Sequence, residues 1–272
     1  MMQANKDFCY FWGKIYLTMR KSILVVFIMF GVIQANAQKK IWVGKSNKIF
    51  NFQFHYTHFT PGGDFASRFN EFNSLGGGVL FKNTHNMLMG AEGSYHFGNN
   101  LKPSNMLNNL TNSVGAINTN SGTPALVSLG MRGFSVLGKV GYLIPVSSKN
   151  RNTGIKIMLG GGLVMHKVNI NITQNNVPSL TEERAAGYDR YSSGWAFNQF
   201  IGYQHHSVNR YTNFYVGAEL MQAYTYNRRK YNYDEMQYDL KMHNDFYYGI
   251  RFSWMIPVYM RTKTGSDEFI FE

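Results

Sequence analysis

Residues 50–57 read Phe-Asn-Phe-Gln-Phe-His-Tyr-Thr, an aromatic ring at every second position with a polar group between. Successive side chains of a β-strand point to opposite faces. Phe50, Phe52, Phe54 and Tyr56 therefore share one face, and Asn51, Gln53, His55 and Thr57 the other. An aromatic face fits a wall turned toward lipid, and the polar face fits an enclosed interior.

The same period of two recurs along the chain. It predicts eight strands, at 47–58, 74–83, 87–98, 132–145, 154–172, 195–206, 213–226 and 246–260. The third sets Met87, Met89, Ala91, Tyr95 and Phe97 against Leu88, Glu92, Ser94 and His96. The fifth is long and changes phase. Ile155, Ile157, Leu159 and Leu163 hold one alternation, while Val168, Ile170 and Ile172 hold the other. A slip of one residue predicts a β-bulge, placed near Val164–Lys167.

The connections alternate between short and long. The short ones are Thr84–Asn86, Val146–Thr153 and Ser207–Thr212; the long ones fall near 59–73, 99–131, 173–194 and 227–245. A β-sandwich gives no reason for every second connection to be long. An outer-membrane barrel does, with tight periplasmic turns at one end and extended outer loops at the other. The fold expected is all-β, an eight-stranded antiparallel up-and-down transmembrane β-barrel over residues 47–261. A periplasmic segment (38–46) would precede it and a periplasmic tail (262–272) follow it.

Composition agrees. Aromatics make up 16% of the 272 residues and charged residues only 15%, against about 25% charged in a typical soluble domain. Mean hydropathy is nonetheless negative, which excludes a helical membrane protein. Tyr95, Phe97, Trp195, Tyr224, Tyr226, Tyr247, Tyr248, Trp254 and Tyr259 fall near strand ends, where amphipathic rings would mark the membrane boundary.

The N-terminus reads as an export signal over residues 1–37. Met19-Arg20-Lys21 is basic, Ser22 to Ile33 is apolar, and Ala35-Asn36-Ala37 is a small-x-small cleavage site, leaving Gln38 as the mature start. The apolar run is shorter than the roughly 20 residues a membrane-spanning helix needs. Met19 is an alternative translation start, since a complete signal follows it. The only cysteine, Cys9, precedes the cleavage site, so no disulfide framework is expected. Cleavage would remove Lys6, Lys14, Arg20, Lys21 and Asp7, taking the net charge from +12 to +9. The basic residues are scattered. They carry no nucleic-acid motif and suit anionic head groups.

Three further stretches carry a resemblance: Gly76-Gly77-Gly78-Val79-Leu80-Phe81-Lys82, Gly90-Ala91-Glu92-Gly93-Ser94-Tyr95-His96-Phe97-Gly98, and Tyr248-Gly249-Ile250-Arg251-Phe252-Ser253-Trp254. With the Asn36-Ala37-Gln38 signal end, they resemble the small outer-membrane barrels of Bacteroidetes-type bacteria, the OmpA/OmpX-like and PorT-like group. Gly249, Phe252 and Trp254 resemble the β-signal that the barrel-assembly machinery reads. The resemblance implies a fold and a place in the cell outer membrane, with lipopolysaccharide and other outer-membrane lipids as surroundings. It implies no activity.

An eight-stranded barrel is just wide enough to be filled by side chains, so no diffusion pore is expected. Glu92 and Lys139 fall near the middle of adjacent strands, as do Glu219 and Arg251; with His55 and His96 they form the expected lumen charge network, since buried charges need partners. His205-His206-Ser207 suggests the lipid A-modifying barrel enzymes, but adjacent residues face opposite ways. His85, His96, His166 and His243 lack metal-ligand spacing. No catalytic residue, metal site or cofactor is expected. In the outer loops Arg184, Tyr188, Arg190, Tyr231 and Tyr233 are the candidate binding anchors, and a short helix is expected near Pro103–Leu110. The expected role is a non-enzymatic structural or accessory subunit of an envelope protein complex serving export, gliding or barrel assembly. The alternatives are a surface-binding or adhesion barrel and, third, a lipid A-modifying enzyme.

Mass spectrometry of the protein recovered from the cell envelope should find an N-terminal peptide beginning at Gln38. A peptide that spans Ala37 and Gln38 in the same fraction would contradict the export reading.

Overall fold

The computed structural model describes residues 46–260 apart from 100, 103–105, 113–115, 173–176 and 208–211. The signal segment, the Ala37–Gln38 cleavage site and the 262–272 tail lie outside the described residues.

Eight long strands close into one barrel: β1 (Ile49–Gly63), β2 (Phe72–Lys82), β3 (Met87–Gly98), β4 (Val127–Pro145), β5 (Gly154–Ile172), β6 (Ser192–His206), β7 (Asn213–Asn227) and β10 (Met242–Tyr259). Each pairs antiparallel with its chain neighbour, and β10 pairs with β1 from Ile49↔Tyr259 to Gly63↔Asp245 to seal the ring. Closure leaves no edge strand in the ring. A two-stranded hairpin, β8 (Tyr231–Asn232) with β9 (Gln237–Tyr238), sits in the connection between β7 and β10. Two short helices complete the loop end: α1 (Phe65–Arg68) and α2 (Glu182–Tyr188).

Alternation is kept around the ring. Phe52, Phe54, Leu75, Met89, Val136, Val140, Leu159, Trp195, Phe197, Ile250, Phe252 and Trp254 are exposed on the outer wall. The residues between them are buried. Turns at one end are tight; in the β2–β3 turn, Asn83 accepts hydrogen bonds from the backbone N–H groups of His85 and Met87, and Asn86 takes a positive φ of 64°.

Three expectations need correction. No bulge interrupts β5: its pairing with β4 runs in constant register from Val127↔Ile172 to Pro145↔Gly154. Val164, His166 and Val168 continue the inward phase, while Leu163 and Met165 are exposed. The apparent slip arises because the interior itself becomes apolar near the loop end, so inward and outward positions both read as hydrophobic. Second, strands run further toward the loops than expected. β1 continues past 58 to Gly63, β4 begins at Val127 and β10 at Met242. Third, Tyr247 is fully buried in the lumen rather than at a boundary. Where a helix was expected near 103–110, the described part holds a 3-10 turn at Asn108–Leu110.

Labelling of single cysteines along β5 should alternate without a break: Leu163→Cys and Met165→Cys accessible to a lipid-soluble maleimide, Val164→Cys and Val168→Cys protected. Reversal of that phase beyond residue 166 would restore the bulge.

Candidate functional site

The lumen is stacked in three levels. At its middle the Arg251 guanidinium donates to Glu92 through Nη1 and Nη2 at 2.8 and 2.9 Å. It donates to Glu219 through Nε and Nη2, both at 2.7 Å. Lys139 Nζ lies 2.7 Å from Glu92 and 3.3 Å from Glu219. Two carboxylates and two cations thus form one neutral cluster rather than two separate pairs. Asn198 Nδ2 and Thr57 Oγ1 donate to Glu219 at 2.7 and 3.3 Å, and Gln53 Nε2 to Glu92 at 3.5 Å. All four charged side chains are almost fully shielded from solvent. The geometry meets the requirement that buried charge be paired and its remaining lone pairs satisfied.

Inward glycines make the room. A Cβ on Gly78 would lie 2.7 Å from Glu92 Cβ, and one on Gly160 would lie 2.9 Å from Lys139 Cγ. One on Gly76 would press on the His55 ring. The glycine-rich stretches of β2 and β5 therefore serve the charged layer as much as the backbone. His55 and His96 face the lumen but stand outside the ion cluster: His55 Nε2 pairs with Ser94 Oγ at 2.8 Å and His96 Nε2 with Ser135 Oγ at 2.9 Å.

Apolar plugs lie on both sides of the cluster. Toward the turns, Leu80, Leu88, Leu143, Met158, Phe200, Tyr215 and Met255 pack together. Toward the loops, α1 drops Phe65 and Phe69 into the mouth of the ring, against Phe59, Phe72 and Tyr247. Phe65 and Phe69 are 4.4 Å apart between ring centres, Phe65 and Tyr247 4.6 Å. Set among these rings is a second polar cluster that the sequence reading missed: Asp245 accepts from Thr225 Oγ1 at 2.7 Å and faces His166 Nε2 at 3.2 Å and Arg68 at 3.4 Å. The period-two phase of β10 puts Asp245 inward, which was a usable signal. Nothing in the sequence showed that α1 would carry Arg68 down to it.

The loop end holds a cleft of about 460 Å³. Charged residues of both signs line it: Asp64, Arg68, Arg190, Glu235, Asp239, Lys241 and His243, with Tyr238 and Leu240 beside them. Most charges are internally matched. Arg190 pairs with Asp234 and Glu235, and His243 Nε2 lies 2.9 Å from Asp239. Beside the cleft Arg229 holds Asp189 at 2.8 Å, a hydrogen bond that raises its already high pKa further. Among the described residues no cluster of His, Cys, Asp or Glu has a geometry that would hold a metal ion.

Of the expected loop anchors, Tyr188 is buried in a loop core with Leu107, Ile117, Val177 and Leu180, and Arg190 is consumed by its carboxylates. Tyr188 is thus engaged in loop packing, while Arg190 is ion-paired and also lines the cleft. Arg184 is exposed with Nη1 3.5 Å from the Pro178 carbonyl, and Tyr233 stays exposed while packing edge-on against half-buried Tyr231. Gly249 of the candidate β-signal lies opposite Phe59, with Phe252 and Trp254 on the outer wall. His206 is buried and pairs with Asn213, whereas His205 points outward against Phe214, so the two histidines serve no common site.

No family model and no curated protein matches the chain. Among solved structures it is similar to Ail, the attachment invasion locus protein of Yersinia pestis, at 12% identity over 76% of this chain and 99% of that one, TM-score 0.37. It is similar to Neisserial surface protein A at 10% identity over 76% and 96%, TM-score 0.36. OprG of Pseudomonas aeruginosa matches at 11% over 78% and 96%, TM-score 0.31. Nothing about activity follows from likeness at that level.

Replacing Arg251 with Leu should lower unfolding stability by about 3–5 kcal/mol, because both carboxylates stay buried with only Lys139 between them. Urea titration in lipid vesicles, followed by tryptophan emission, measures it. A loss below about 1 kcal/mol would mean that the cluster is hydrated rather than dry.

Proposed function

We propose that the chain is a non-enzymatic barrel of the cell outer membrane, a rigid anchor that serves as a structural or accessory subunit of an envelope protein complex. The observation that carries this reading is the pairing of a predominantly apolar outer wall with a lumen filled by side chains. Trp195, Phe197, Leu159, Ile250 and Phe252 present a surface that water penalises, while among the described residues the mid-height interior is filled by the ion cluster and the apolar groups on either side of it. Barrels solve the backbone problem in lipid because every N–H and C=O is paired within the ring. The barrel-assembly machinery would insert it, with Gly249, Phe252 and Trp254 on the closing strand as the segment read.

The loop-end cleft favours a second reading, a surface-binding barrel. Lys241, Tyr238 and Leu240 line it and are exposed, and Tyr233 is exposed in the same connection. A cation beside exposed aromatic and aliphatic groups suits an anionic amphiphile or an acidic glycan. The lipid A-modifying reading loses its motif, since His205 and His206 face apart.

Purification in mild detergent separates the two readings. A stoichiometric envelope protein that stays bound after Lys241→Ala and Tyr238→Ala supports the subunit role. A chain that purifies alone, and whose binding to cell-surface glycolipid falls with those substitutions, supports the surface-binding role and contradicts the first.

A further inference from the structure

At mid-height of the outer wall one polar residue stands without a described partner. Gln199 points outward at the middle of the apolar run of β6, with Trp195 and Phe197 before it and Ile201 and Tyr203 after it. Directly across the ladder are Leu159 on β5 and Leu220 on β7. The side chain is exposed, and its amide makes no contact with another described polar group. The contrast is Gln222 on β7, which also faces outward but donates to Tyr224 Oη at 2.6 Å. A primary amide left bare in hydrocarbon forfeits its water without replacement. It lies at the centre of the 15-residue strand, next to Asn198 of the charged layer.

We infer that the β5–β6–β7 wall is the interface of a homodimer, in which Gln199 of one copy hydrogen-bonds Gln199 of a second copy. The inference rests on the membrane reading above. The occupant follows from the chemistry. A primary amide carries both donor and acceptor, so it is complementary to itself across a two-fold axis. An axis along the membrane normal keeps both copies upright and brings the two glutamines to the same depth. It sets β5 of one copy toward β7 of its partner. The outward positions Ile155, Ile157, Leu159, Leu163, Val216, Ala218 and Leu220 carry no charge, so the wall offers a differently charged partner nothing to pair with. Close approach is open as well: Gly161 and Ala218 lie diagonally beside Gln199, and a Cβ on Gly161 would meet nothing nearer than the Ala196 carbonyl at 3.9 Å. Between membrane helices, small residues beside an interchain amide hydrogen bond are a common means of association, and the same close approach is available here.

The test uses the full chain with Cys9→Ser, expressed in its envelope. Gln199→Cys is compared with Val79→Cys, an exposed outward position on β2 across the ring. Copper-phenanthroline oxidation should yield a disulfide-linked dimer several-fold more abundant from position 199 than from position 79. In detergent, Gln199→Leu should weaken the wild-type dimer several-fold by sedimentation equilibrium. If both cysteines resist a membrane-impermeant maleimide yet neither cross-links preferentially, the dimer is refuted and the membrane reading stands. If both react with that reagent, the membrane reading fails and the dimer with it. A cross-link from position 199 to a protein of another mass would refute the second copy as occupant.

Discussion

Everything inside this barrel depends on the guanidinium of Arg251, which holds two carboxylates at once. A ring of eight strands has an interior that side chains must fill, and Glu92 and Glu219 enter it from β3 and β7, on different parts of the circumference. Either acid alone would be costly to bury. Arg251 ties both from β10, Lys139 balances the remaining charge from β4, and four strands are thereby pinned to one another through the lumen. The hydrogen-bond ladders close the ring; this cluster fixes what the ring encloses.

The rest of the interior is arranged around that layer. Glycines on β2 and β5 give up their side chains where Glu92, His55 and Lys139 need space. Apolar groups above and below keep water from the ions, which strengthens their mutual attraction. At the loop end the single turn of α1 and the residue that follows it place Phe65, Arg68 and Phe69 together, capping the lumen with rings and supplying the cation for Asp245. Arg68 also lines the cleft, which ties the cleft to this cap.

The barrel was legible in the sequence because its signal is local. Alternation in 50–57 or 246–258 needs only neighbouring residues, and alternating loop lengths carry the topology. The lumen charges were legible for the same reason: inward phase and mid-strand position put Glu92, Lys139, Glu219 and Arg251 in reach. Their joining into one four-member cluster was not, since reach across a ring depends on strand tilt. The β5 bulge was misread because alternation is informative only while the two faces differ in polarity, and near the loops they do not. The partners of Tyr188 and Arg190 were not legible, because aromatic and cationic loop residues serve packing and binding alike and only the fold shows what they touch. Gln199 was visible as a polar residue in an apolar strand, but its isolation could not be known until Leu159 and Leu220 were seen across from it.

The central claim is a barrel sealed by charge pairing inside an apolar shell. Recording current across a planar lipid bilayer that holds the purified barrel tests it most directly. The account predicts no steady conductance from the native chain at any voltage the bilayer withstands. A stable ohmic conductance with uniform unit steps would mean that water and ions traverse the lumen, and the sealed interior described here would be wrong.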